Sequence, residues 1–155
     1  LTLDLVVERM RAMAGRRGVS VDVDVADAVD VLGSRDQLVS MVRNLVENAV
    51  KYSNDGDAVT VRLVGDEAGV LIEVVDQGMG IPAADLERVF ERFYRVDRAR
   101  ARETGGSGLG LSIVRHVAQS HGGRVDLAST EGQGTTVTVR LPVRPGSGAP
   151  WTGTP

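Results

Sequence analysis

The chain has 155 residues, 18 basic side chains against 21 acidic ones, a net charge of −3 and no cysteine. Such a length is one ordinary domain that buries about two-thirds of its unfolded surface, and the lack of thiols excludes disulfide frameworks, thiolate zinc sites and cysteine catalysis. No basic stripe suits nucleic acid, no apolar run reaches the roughly 18 residues of a membrane helix, and the N-terminus does not read as a signal peptide, so a soluble domain in a reducing compartment is expected.

In chain order, Thr2 to about Gly15 reads as a helix, capped by Thr2, with Leu5, Val6, Met10 and Met13 at helical spacing. Val19, Val21, Val23 and Val25 alternate with polar residues, the pattern of a half-buried strand. Ser34-Arg-Asp-Gln37 is a capping box that opens a helix to about Tyr52, with Leu38, Met41, Val42, Leu45 and Ala49 as its core stripe. Val59–Val64 and Val70–Val75 form a hairpin across Gly65–Gly69. Pro82 sits where a helix through Phe90 would begin. Arg95 to Gly108 is charged, then glycine-rich and aperiodic, as expected of a mobile functional loop. Leu109 to His121 returns to helix, and Arg124–Ser129 with Thr135–Leu141 closes a second hairpin. Residues 1–141 are therefore read as one α+β domain, a two-layer sandwich of about five mostly antiparallel strands with three helices on one face, the other face staying wet. Residues 142–155, rich in Pro, Gly, Ser and Thr, are expected to be a disordered tail despite Trp151.

Four constellations carry chemistry. Asn44, Glu47, Asn48 and Lys51 share one face of the second helix, opposite the apolar stripe. A solvated face is the bland explanation, but asparagine is a poor helix former, while amide oxygens suit Mg²⁺ and a lysine one turn on suits phosphate. Asp76-Gln-Gly78-Met-Gly80 follows an apolar strand; alone it is an ordinary turn, yet a strand-end aspartate accepts a hydrogen bond from an amino group such as adenine's. Gly105-Gly-Ser-Gly-Leu-Gly-Leu-Ser112 opens a helix, where bare backbone N–H groups attract anions. No Gly-Lys pair exists for a P-loop, and no strand precedes this loop for a dinucleotide fold. Phe90-Glu-Arg-Phe-Tyr-Arg95 gathers aromatics that anchor the loop base, with Arg92 and Arg95 either plain surface charge or able to reach a phosphate.

Taken together, Asn44-Leu-Val-Glu-Asn48-Ala-Val-Lys51-Tyr52, Asp76-Gln-Gly78-Met-Gly80, Phe90-Glu-Arg-Phe-Tyr94, Gly106-Ser-Gly-Leu-Gly110 and Gly132-Gln-Gly-Thr135 resemble, in order, the N, G1, F, G2 and G3 boxes of sensor histidine kinases. The resemblance covers the catalytic and ATP-binding domain, a Bergerat fold. It implies that Asn48 holds Mg²⁺ with Asn44 beside it, that Lys51 contacts phosphate, and that Tyr52 lies against the nucleotide. Asp76 would bind the adenine amino group, with Gly78, Gly80, Ile81 and Thr135 lining the base pocket. Gly106, Gly108, Leu109 and Gly110 would give backbone contacts to phosphate. The segment between Gly80 and Gly106 would be a lid, anchored by Phe93 and carrying Arg92 and Tyr94 toward the nucleotide.

The resemblance further implies transfer of the ATP γ-phosphoryl to a histidine on a separate dimerising domain, a response regulator downstream, and a homodimeric parent anchored in the bacterial plasma membrane with this domain, monomeric alone, in the cytoplasm. The phosphoacceptor pattern itself is missing: His116-Val-Ala-Gln and His121-Gly-Gly-Arg both lack the acid that follows the family's histidine. His116 is expected on a packed helix, and His121 near its C-terminus, where positive charge is welcome. Gyrase, heat-shock and mismatch-repair ATPases of the same fold place a water-activating glutamate where this chain has Asn44, and Glu47 points roughly a hundred degrees away from Asn48 on the helix. That substitution disfavours hydrolysis. The Phe90–Arg95 box disfavours a serine kinase regulating a sigma factor, and the intact boxes disfavour a degenerate interaction module.

Overall fold

The computed structural model describes residues 3–26, 33–91 and 110–142. In chain order these form α1 (Leu3–Arg16), β1 (Ser20–Ala26), α2 (Arg35–Lys51), β2 (Ala58–Gly65), β3 (Gly69–Asp76), a short 3₁₀ turn at Ala83–Asp85, α3 (Gly110–Ser120), β4 (Arg124–Thr130) and β5 (Gly134–Pro142). The five strands make one sheet in the order β1-β2-β3-β5-β4. β1 runs parallel to β2, and every other pairing is antiparallel. The expected two-layer α+β sandwich is therefore present, with both hairpins and all three long helices. Residues 92–105 of the expected lid, the segment 95–108 and the tail after Pro142 lie outside the described residues.

Alternation decides which face is buried. Val59, Val61 and Leu63 of β2, Val70, Ile72 and Val74 of β3, and Val137, Val139 and Leu141 of β5 all face the helices. Against them pack Met10 and Ala14 of α1, the stripe Leu38, Met41, Val42, Leu45, Val46, Ala49 and Val50 of α2, and Val114, Val117 and Ala118 of α3. The opposite face carries ion pairs, Arg62–Glu73 at 3.9 Å between β2 and β3 and Arg124–Asp126 at 3.3 Å on the edge strand β4. At its centre Leu71, in register between Val64 and Arg140, has no exposed surface, so β3 does not follow a simple wet–dry alternation.

Two local expectations change. Pro82 begins a single 3₁₀ turn, and turns continue to Phe90 with mixed bonds: the Arg88 N–H donates to the Asp85 carbonyl at 2.9 Å and the Val89 N–H to the same oxygen at 3.1 Å. So short a stretch hardly offsets the cost of nucleating a helix, and Val89, Leu86 and Phe90 are fixed by packing on Ile81 and Leu111 instead. The capping box is half made: Ser34 Oγ accepts the Gln37 N–H at 3.4 Å, but the Ser34 N–H donates to His121 Nε2 at 3.1 Å.

His121 therefore does more than sit at a helix end. It is 4% exposed, and its Nδ1 lies 2.8 Å from the Val117 carbonyl. A carbonyl only accepts and a backbone N–H only donates, so the ring carries its proton on Nδ1 and its lone pair on Nε2. The charge–dipole contact expected of it is replaced by a hydrogen-bonded bridge from α3 to the α2 cap. His116 lies on the packed helix α3, as expected, with its own side chain exposed. Removing the bridge leaves the Ser34 N–H without its acceptor, so His121→Ala should lower unfolding free energy by about 1–3 kcal/mol. Urea denaturation measures this, and a loss below about 0.5 kcal/mol, within the range of an ordinary surface change, would contradict the bridge.

Candidate nucleotide site

The site is assembled where α2 ends, β3 ends and α3 begins. On α2, Asn44, Glu47, Asn48 and Lys51 are all half-buried, so their shared face is only partly open to solvent. The Asn44 amide nitrogen donates to the Ser40 carbonyl at 2.7 Å, which fixes the amide's orientation. Its oxygen lies 3.6 Å from where a side chain on Gly110 would start. The first residue of α3 thus abuts the asparagine face.

At the end of β3, Asp76 is 8% exposed. Its Oδ1 accepts the Gly78 N–H at 3.0 Å, and the β3–β5 register sets Thr135 directly opposite it. Burial is the largest influence on this carboxyl and raises its pKa above the ordinary aspartate value. Backbone hydrogen bonds from Gly78 and Thr135 pull it down, and the charge of Asp57 adds a smaller upward push.

The turn that follows is packed too closely for side chains. A Cβ on Gly78 would lie 2.1 Å from the Tyr52 carbonyl oxygen, which also accepts the Met79 N–H at 3.2 Å. Gly80, at φ 68°, would put a Cβ 2.1 Å from the Thr130 carbonyl oxygen. The turn is therefore held between the C-terminus of α2 and the β4–β5 hairpin. This brings Tyr52, Asp76, Gly78, Gly80, Ile81 and Thr135 together at one end of the sheet.

Two residues that sequence reasoning missed complete the wall. Ser129 Oγ accepts the Ile81 N–H at 2.7 Å and lies 2.8 Å from Thr135 Oγ1. The signal for it was a hydroxyl on the core-facing side of β4, in phase with Val125 and Leu127. Arg115 of α3 sets its guanidinium carbon 5.5 Å over the Phe90 ring centroid, a cation–π distance. Beneath it Ile81, Val89 and Leu111 form a small apolar cluster separate from the main core. Arg92, Phe93, Tyr94, Gly106, Gly108 and Leu109 lie outside the described residues.

A buried acceptor in a bare glycine turn, beside a helix face of amides and a lysine, has the chemistry of a nucleotide site. The profile of the "Histidine kinase-, DNA gyrase B-, and HSP90-like ATPase" family matches residues 33–145. The chain belongs to this family. Among curated relatives, it is 44% identical over 139 residues to the sensor-like histidine kinase SenX3 of Mycolicibacterium smegmatis, covering 90% of this chain and 36% of that protein. It is 47% identical over 112 residues to the sensor histidine kinase WalK of Bacillus subtilis, covering 71% of this chain and 18% of WalK. Among solved structures, the mycobacterial sensor histidine kinase MprB superposes with a TM-score of 0.78 at 34% identity, covering 92% of this chain and 93% of that one. The chain thus spans about a third or less of the curated relatives' length, which include further domains, and matches a sensor-kinase ATPase domain nearly end to end. An ATPase domain of this family binds ATP.

Because burial raises the Asp76 pKa, the ionised carboxylate weighs against folding of the ATPase domain. Its contribution is most favourable below the ordinary value of 3.8 and is lost as pH rises through the raised folded value. Denaturant titrations across this window should show wild type losing stability relative to Asp76→Asn, then holding a constant gap up to pH 7. A gap independent of pH throughout would mean that the carboxylate is not desolvated. In the same assay Gly80→Ala should cost more than about 1 kcal/mol, from positive φ and the Thr130 contact together; a neutral result would contradict the close approach.

Proposed function

We propose that the chain is the ATP-binding catalytic domain, residues 1–141, of a sensor histidine kinase, and that it transfers the γ-phosphoryl of Mg²⁺-ATP to a histidine on a separate dimerising domain of its parent. The observation that carries the reading is Asp76: a buried acceptor at a strand end, reached through a turn with no room for side chains. A purine amino group would give this carboxylate a further donor, with Gly78, Gly80, Ile81 and Thr135 around the base and Tyr52 against the nucleotide.

The donor set on α2 fits a magnesium ion. Among the described residues no cluster of three His, Cys, Asp or Glu could hold a metal alone, and Mg²⁺ commonly takes one or two protein oxygens plus substrate phosphates. Asn48, with Asn44 beside it, would hold the ion, which when bound neutralises phosphate charge. Lys51 adds a point charge for phosphate. Gly106, Gly108, Leu109 and Gly110 would offer backbone N–H groups at the α3 N-terminus, whose dipole favours anions. Arg92 and Tyr94 would approach from the lid. Phosphoryl transfer asks for little beyond such positioning and charge neutralisation.

Asn44 also weighs against the hydrolytic members of the family, since an amide cannot deprotonate water. The acceptor is then external, because neither His116, exposed on α3, nor His121, committed to Ser34 and Val117, is available near the phosphate end. The same reading gives the parent a homodimeric state, a response regulator as next acceptor, and a plasma-membrane anchor outside this chain. Among the described residues no helix is long and apolar enough to cross a membrane.

Calorimetry with Mg²⁺-ATP should show binding that Asp76→Asn weakens at least about tenfold, since the new amide sets a donor against the adenine donor. Radiolabelled ATP should leave the chain alone unlabelled and label the parent's dimerisation domain added in trans, with Asn48→Asp impairing the transfer. Unchanged affinity in Asp76→Asn would overturn the base assignment, and stable label on the chain alone would overturn the external acceptor.

A further inference from the structure

Ser129 has a role that its strand position alone does not explain. It stands on the core-facing side of β4, continuing Val125 and Leu127, yet it carries a hydroxyl where the pattern asks for an apolar side chain. Three polar groups converge on that hydroxyl: the Ile81 N–H at 2.7 Å, the Gly134 carbonyl at 2.9 Å and Thr135 Oγ1 at 2.8 Å.

The proton count is decisive. A hydroxyl offers one proton and two lone pairs. The Ile81 N–H can only donate and the Gly134 carbonyl can only accept, so they take one lone pair and the proton. What remains for Thr135 is a single lone pair, which only the Thr135 O–H can fill. Thr135 is thereby left with lone pairs alone for its other neighbours. One of those neighbours is Asp76, set opposite Thr135 by the strand register and holding a hydrogen bond from the Thr135 backbone.

We propose that Ser129 is a positioning residue for base selection. By taking up the Thr135 proton, it holds Thr135 Oγ1 as an acceptor beside the Asp76 carboxylate. The pocket then presents two acceptors to the edge of the base, which suits a purine with an exocyclic amino group and rejects one with a carbonyl there. With Ser129 gone, the Thr135 hydroxyl is free to turn its proton into the pocket, where it can donate to the oxygen of guanine. The Ile81 N–H also loses its acceptor, which loosens the turn lining the base. The inference rests on the nucleotide reading above and assigns a residue through which that site chooses its base.

The test compares ADP, GDP and inorganic tripolyphosphate, each with Mg²⁺, by calorimetry on the whole chain. Wild type should prefer ADP to GDP. Ser129→Ala should cut that preference about tenfold, the worth of one buried hydrogen-bonding mismatch, while tripolyphosphate affinity, which has no base to read, stays within about twofold. Thr135→Val keeps the shape, removes the acceptor and should cut the preference similarly. The double variant should fall no further than either single one, because both act through one hydroxyl. An unchanged ADP-to-GDP ratio in Ser129→Ala, additive losses in the double variant, or an equal loss for tripolyphosphate would each overturn the proposal. If Ser129→Ala does not fold, Thr135→Val decides alone: an unchanged ratio overturns, a reduced one supports. A wild-type chain that binds ADP no better than GDP would instead overturn the nucleotide reading, and the inference with it.

Discussion

The burial of one carboxylate constrains everything else at the working end of this domain. Asp76 leaves the sheet at the end of the central strand β3, and its ionised form is costly away from water unless donors meet it. Two backbone donors do so, from Gly78 in the turn and from Thr135 across the β3–β5 ladder. Keeping them there requires a turn folded tightly back, which brings the Tyr52 and Thr130 carbonyls so close that positions 78 and 80 must be glycine. The cost is not fully offset within the protein, because the carboxyl pKa remains raised. A buried carboxylate of this kind suits a ligand that brings a further donor, and it trades stability for that readiness.

The second constraint is the antiparallel pairing of α2 and α3. His121, just past α3, meets Ser34 at the cap of α2, and Gly110, at the start of α3, meets Asn44. From Ser34 to Asn44 is about 15 Å of helix, and from Gly110 to His121 about 16 Å, at 1.5 Å per residue. The two spans match, so the helices are pinned at both ends and the amide face of α2 is held against the N-terminus of α3. Below the base turn, Ile81, Val89 and Leu111 pack as a cluster of their own. Regions with few buried contacts open at lower free energy than the main core. The wall of the site can therefore adjust without disturbing the sheet.

What the sequence revealed follows the range of the interactions. Strands came from valine alternation and helices from apolar spacing and from Ser34, because each is decided within a few residues. The site helix and the Asp76 turn were legible for the same reason: residue type and spacing carry the chemistry. The failures depended on partners far along the chain. The Ser34 N–H was assigned to Gln37, three residues on, and goes to His121, 87 residues on. Pro82–Phe90 had a helix start and an apolar period, but its packing on Leu111 of α3 chose turns instead. Ser129 read as one polar residue in a strand, and only the fold sets it between Ile81 and Thr135. Leu71 lies on the face opposite the helices, and its place at the centre of the sheet buries it.

Asn44 shows how one amide can set the direction of the chemistry. Its nitrogen is committed to the Ser40 carbonyl, one turn back on the same helix, so the side chain cannot flip to offer N–H groups toward Gly110 without breaking that bond. The oxygen is left facing the start of α3, the proposed phosphate end. An oxygen there can help hold a cation or orient a water, but an amide has no basicity with which to take a proton. A carboxylate in its place would do both, and would also bring a negative charge close to phosphate. In the proposed site the asparagine would therefore keep the phosphate end electrostatically favourable while withholding the base that water would need. In the proposed reaction the nucleophile must arrive already competent, as a histidine from another domain does, and the domain's own work is confined to holding ATP in one pose until it comes.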